Sequence, residues 1–140
     1  REQLWEKHAR TGKRLNDWNW GWRLGWVRVC SASDQAICQN ILRQALFDKA
    51  LVVRSEAATR LGSRFSGSAH PDVVALLERA YTDKRNLRGG KPLFVLQRIL
   101  YALYQVGDET QRERAQTLAG QHRETKAYWQ RLVAATESAE

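Results

Sequence analysis

Residues 41–48 read Ile-Leu-Arg-Gln-Ala-Leu-Phe-Asp, and residues 76–83 read Leu-Leu-Glu-Arg-Ala-Tyr-Thr-Asp, an offset of 35 residues. Carried upstream in the same frame, Cys38, Ile41, Leu42, Ala45 and Leu46 match Val73, Leu76, Leu77, Ala80 and Tyr81. Both sets follow the spacing i, i+3, i+4, i+7, i+8, which draws one apolar stripe along an amphipathic helix. Two helices are built to one plan. Short helices repeating a plan cannot bury their stripes alone, so neighbours must stack and share a core.

A second kind of helix follows each of these. After Asp48 come Val53-Arg54, Ala57, Ala58, Leu61 and Phe65; after Asp17 come Trp22-Arg23, Trp26, Val27 and Cys30. The spacing from aspartate to arginine is six in both places, and the copies are 31 residues apart. A third copy follows Asp83. There Val95, Ile99, Leu100 and Leu103 keep the apolar frame, with Leu96 where arginine stood and an insertion from Lys84 to Lys91 before the helix. The periodicity predicts helices over 2–15, 18–31, 34–47, 50–65, 71–82, 93–106, 109–120 and 123–137. Pro71 suits a first helical position and Asp72 the positive helix start, while Gly107-Asp108 suits a helix end and turn. Trp18, Trp20 and Trp22 alternate as in a strand, but too briefly to overturn the helical pattern around them.

The turn aspartate, the Val-Arg pair six residues on, the Ala-Ala pair and Leu61-Gly62 together resemble the HEAT repeat family, including the short bacterial HEAT-like repeats of phycobilin lyases. The likeness is clearest at Asp48, Val53, Arg54, Ala57, Leu61 and Gly62, partial at Asp17, Trp22 and Arg23, and degenerate after Asp83. It covers residues 16–107, with 1–15 and 108–140 fitting only as divergent terminal repeats of a single domain spanning 1–140. The resemblance implies an all-α, right-handed solenoid of three to four helical hairpins. It also implies a structural ladder in which Asp17, Arg23, Asp48 and Arg54 bond to neighbouring turns.

At 140 residues the chain can bury a core without metal or disulfide staples. No window approaches the roughly 20 apolar residues of a membrane helix. Arginine stands at position 1 and methionine is absent, so the chain reads as a fragment or processed product, expected to have shed any signal peptide or anchor. The net charge of +8 comes from 17 arginines and 6 lysines against 15 acids. Such a field favours acidic partners, although arginine-rich composition alone yields it too, and no run of like charge marks a nucleic-acid tail.

Catalysis finds no foothold. His8, His70 and His122 are far apart, no HExxH or Cys-His spacing exists, and the His-Glu pairs of HEAT-like hydroxylases are missing, so neither metal nor cofactor is expected. Leu87-Arg88-Gly89-Gly90-Lys91-Pro92 lacks the spacing of a phosphate loop, and no nucleophile elbow occurs. Cys30 and Cys38 align with core positions, which favours two buried thiols. The rival reading is a disulfide across the short hairpin turn, decided by a distance the sequence does not contain. Free thiols suit a cytoplasmic chain; a bridge suits a periplasmic or secreted one.

Five of six tryptophans lie in the first 26 residues. Trp22 and Trp26 fall in core frames and Trp5 is expected to cap the stack. Trp18 and Trp20 near a turn are candidate contacts, since exposed tryptophan beside arginine serves as a hot spot or a stacking platform. The insertion 84–91 carries Lys84, Arg85, Arg88 and Lys91. It reads as a solvated connection and also as the first choice for a functional element, because solenoid insertions often line a binding face. The expected function is a non-catalytic binding or scaffold module whose basic concave face and inserted loop dock an acidic or amphipathic protein. Nucleic-acid binding through phosphate-contacting arginines is the alternative, as in HEAT-like alkylpurine DNA glycosylases. A tetrapyrrole lyase or chaperone, drawn from the repeat type alone, is a third.

Overall fold

The structure is a computed structural model that describes residues 19–139. The chain is mostly helical. Seven α-helices are described: α1 (Trp20–Cys30), α2 (Ala36–Ala45), α3 (Leu51–Arg64), α4 (Pro71–Tyr81), α5 (Phe94–Val106), α6 (Glu109–Gln121) and α7 (Lys126–Ala139). Their bounds agree with the periodicity to within three residues. The predicted helix 2–15, Trp5, Asp17 and Trp18 lie outside the described residues.

Local chemistry explains several boundaries. Asn19 caps α1 by accepting from the Trp22 amide at 3.0 Å. Pro71 opens α4 with Asp72 in its first turn. Gly107 closes α5 and Asp108 opens α6 with a full capping box, its side chain taking the Gln111 amide while Gln111 returns the bond.

The helices pack around a chain of odd-numbered ones. The odd helices α1, α3, α5 and α7 pack one on the next in chain order, while α2 packs on α1 and α3, α4 on α5, and α6 on α5 and α7. A continuous core runs between them, from Val27, Leu42 and Leu46 through Val53, Leu61, Val73 and Leu77 to Ile99, Leu100 and Val106. Odd helices approach closely: a Cβ on Gly62 of α3 would lie 3.0 Å from both the Cα and the Cβ of Ala102 in α5, so only glycine fits without displacement. The connection after α3 is tied to the end of α5, its Gly67 and Ala69 amides donating to the Gln105 and Val106 carbonyls at 2.7 and 2.8 Å.

Two expectations need correction. Trp22, placed in the core by its alignment with Val53, is 51% exposed, whereas Val53 is fully buried. Val53 faces a preceding odd helix; no described helix precedes α1. The cysteines, expected as thiols, form a Cys30–Cys38 disulfide with Cα atoms 4.8 Å apart. The tight turn between α1 and α2 sets that separation, inside the range a bridge accepts.

The insertion also acquires order. Lys84–Asn86 forms a 3-10 turn, then Leu87–Arg88 (β1) pairs antiparallel with Lys91–Pro92 (β2), Leu87 opposite Pro92 and Arg88 opposite Lys91. Gly89 and Gly90 occupy the two turn positions with φ of 57° and 78°. A two-residue hairpin turn of this hand requires positive φ at both positions, which glycine supplies at no steric cost.

Candidate functional site

The site is built on a polar ladder along the odd helices. Arg23, the fourth residue of α1, donates from Nε and Nη2 to both carboxylate oxygens of Asp48 at 2.8 and 3.0 Å, and both side chains are buried. Asp48 also accepts from the Ala50 amide at 2.8 Å, which shapes the turn into α3. A bidentate, hydrogen-bonded pair of this kind satisfies charges that would be costly if stranded. Arg54, the fourth residue of α3, donates to the Asp48 carbonyl at 2.8 Å, to Asn86 Oδ1 at 2.9 Å and to the Arg85 carbonyl at 3.2 Å. Burial holds its pKa below the ordinary arginine value, with the charge of Arg85 adding to that effect.

The third rung departs from the sequence frame. Gln97, not Leu96, is the fourth residue of α5; it is fully buried and donates to Thr125 Oγ1 at 2.6 Å and the Ala119 carbonyl at 3.3 Å. The apolar frame read through Val95 holds, since Val95, Ile99, Leu100 and Leu103 are all buried, but the polar rung falls one residue after Leu96. Asp83, aligned with Asp48, does not receive Arg54 either. Asn86 does, at the end of the 3-10 turn, and its own Nδ2 donates to the Ala80 carbonyl at 2.9 Å. Thr125 ends the corresponding 3-10 turn before α7. Asn86 and Gln97 were missed because the inserted residues broke the spacing on which the aspartate had been traced, and Thr125 because no aspartate–arginine spacing marks the turn before α7.

The basic loop divides into two parts. Arg85 is exposed but tied back to the fold: it donates to Asp83 at 2.7 Å and to the Phe47 carbonyl at 3.0 Å. The Arg85 hydrogen bond is the main reason the Asp83 carboxyl sits below its usual pKa, and the same bond raises Arg85. Lys84, Arg88 and Lys91 are exposed and make no ion pair among the described residues. The hairpin therefore projects three charges from a braced base. Trp20 is 57% exposed at the far end of the chain of odd helices, four elements away in chain order.

The exposed face of the odd helices is chemically mixed. On α3, Val52, Ser55, Thr59 and Ser63 follow helical spacing opposite the buried residues. Beside them Glu56 pairs with Arg60 at 2.9 Å and Arg28 of α1 at 3.4 Å. On α5 the face carries Phe94 and Arg98. Arg98 donates to the Tyr128 hydroxyl, its guanidinium carbon is 5.3 Å from that ring's centroid, and Arg131 reaches the same ring at 5.8 Å. Phe94 meets Tyr128 edge to face at 6.2 Å. This arginine–aromatic cluster had no motif to announce it, since its members lie on two helices.

The remaining titratable groups are dispersed. His70 precedes α4 and packs edge-on against Phe65 at 5.2 Å. His122 Nε2 lies 2.7 Å from the Tyr81 hydroxyl, and burial raises the Tyr81 pKa. Among the described residues no group of three His, Cys, Asp or Glu side chains is placed to hold a metal ion, and no helix is long and apolar enough to cross a membrane. Comparison with protein-family models, with curated proteins and with solved structures finds no match to this chain.

Proposed function

We propose that the chain is a non-catalytic docking module of HEAT-like hairpins that holds a protein partner against its odd-helix face and basic hairpin. The ladder supports the repeat reading. Each odd helix from α1 to α5 sends its fourth side chain into the turn before the next odd helix, as Arg23 to Asp48, Arg54 to Asn86 and Gln97 to Thr125. Repetition of one bond in one place is what stacked copies of one hairpin produce.

The observation that carries the partner class is Glu56. A face that grips phosphates gains by presenting arginines alone. Here Arg28 and Arg60 share a carboxylate, and hydroxyls and Val52 fill the rest of α3. Mixed charge with small polar groups suits a protein surface better than a phosphate backbone. The disulfide fits maturation in an oxidising compartment, where such bridges form and persist.

A photo-crosslinking residue at position 63, on the exposed face of α3, exposed to extract of the native host with and without nuclease, tests the reading. The expected adduct is a protein, unaffected by nuclease and lost when Lys84, Arg88 and Lys91 are replaced by alanine. Those residues are exposed, so the triple replacement should change stability by no more than about 1 kcal/mol. A nuclease-sensitive adduct would transfer the assignment to nucleic acid.

A further inference from the structure

Three exposed apolar residues stand at the starts of three elements, α3, β1 and α5. Val52 is 43% exposed in the first turn of α3, Leu87 is 38% exposed at the start of β1, and Phe94 is 44% exposed as the first residue of α5. One buried side chain gathers them. Arg54, two residues after Val52, donates to Asn86 Oδ1 at 2.9 Å; Leu87 is the next residue; and the Leu93 amide, one before Phe94, donates to the Asn86 carbonyl at 3.0 Å. The ladder that orders the fold thus ties the starts of α3, β1 and α5, where these residues stand, to one point. Exposed apolar side chains are ordinary when scattered and informative when grouped.

Their surroundings are positive. Lys84, Arg88 and Lys91 flank Leu87 in sequence and are exposed, and Arg98 stands one turn beyond Phe94 against Tyr128. We infer that this patch is the anchor site of an acidic amphipathic segment, whose apolar side chains rest on Val52, Leu87 and Phe94 while its carboxylates meet the hairpin cations and Arg98. The inference rests on the protein-docking reading above and adds the place and the chemistry. Charge complementarity selects the occupant: the rim offers cations, so the partner brings acids. The apolar floor sets it apart from a nucleic-acid platform, because two of its three members are aliphatic and cannot stack a base.

Three labelled probes test this at several salt concentrations: a helical peptide with leucines on one face and glutamates on the other, a shuffled peptide of the same composition, and a single-stranded oligonucleotide. The wild type should prefer the amphipathic peptide over the shuffled one by about tenfold or more, the scale of one central apolar anchor. Replacing Val52, Leu87 and Phe94 with serine should erase that preference while leaving helicity and melting behaviour near wild type. Removing Lys84, Arg88 and Lys91 should weaken both peptides alike, chiefly through slower association. Equal binding of both peptides, unchanged by the serine variant, overturns the anchor site yet leaves a protein partner steered by charge alone. Binding of the oligonucleotide in place of the peptides, with affinity falling linearly in log salt, overturns the docking reading itself. Failure of all three probes to bind overturns the anchor site, and the crosslinking experiment then judges the broader reading.

Discussion

Replacing Arg54 with alanine strands three acceptors at once. The Asp48 carbonyl, Asn86 Oδ1 and the Arg85 carbonyl lose donors at 2.8, 2.9 and 3.2 Å, and Asn86 is fully buried. Each buried acceptor left unpaired costs about 1–3 kcal/mol. Two terms offset that sum: the arginine no longer pays for its own desolvation, and water can enter the space left beside the partly exposed Arg85 carbonyl. A net loss of about 3 kcal/mol remains, which for a domain of this size is roughly 10 °C in Tm. Differential scanning calorimetry of Arg54→Ala beside Arg54→Met separates the bonds from the packed stem, since methionine keeps the apolar bulk. A double-mutant cycle with Asn86→Ala should return a coupling above about 0.5 kcal/mol, because the two side chains share a bond. A Tm for Arg54→Ala within a degree or so of wild type, or additive loss in the cycle, would refute the ladder as a source of stability.

The disulfide predicts no titratable thiol in denaturant without reductant and two with it; its removal should cost about 2.5 kcal/mol, the loop-closure value for cysteines eight apart in sequence. Gly62→Ala should destabilise the α3–α5 contact by about 1–3 kcal/mol, because the new methyl meets Ala102 and Gln105; an unchanged urea midpoint would show that the helices part without cost. Asp83 is held below its ordinary pKa by its bond to Arg85, so its contribution is present in full at neutral pH and is lost as pH falls through the depressed folded value. Asp83→Asn should therefore flatten the acid limb of the stability curve and leave the alkaline limb alone.

Much of the secondary structure was legible because helical periodicity is a property of neighbours in sequence. The stripes of Ile41, Leu42 and Ala45 and of Val73, Leu77 and Ala80 are buried. Arg23, Asp48 and Arg54 could be singled out by their spacing, since each stands at a set distance from a helix start. Asn86 and Gln97 could not. An insertion changes the count between a turn and the next helix without changing where the turn lies in space. The hairpin did carry a signal, a glycine pair between short flanking stretches, and the expectation of a plain loop passed over it.

The sequence by itself determined which segments are helical and which faces of them are apolar, because a side chain's position around a helix follows from its number alone. Tertiary structure decided everything that depends on which helix lies beside which. Trp22 and Val53 hold one alignment frame, yet the first is exposed and the second buried, because only Val53 has a described odd helix packed before it. Cys30 and Cys38 became a bridge through a 4.8 Å approach set by a turn. The starts of α3, β1 and α5, spread over some 40 positions, were tied together because Arg54, Asn86 and the Leu93 amide meet at a buried hydrogen-bonded point. Periodicity is local, whereas proximity across a stack is fixed only when the shared core closes.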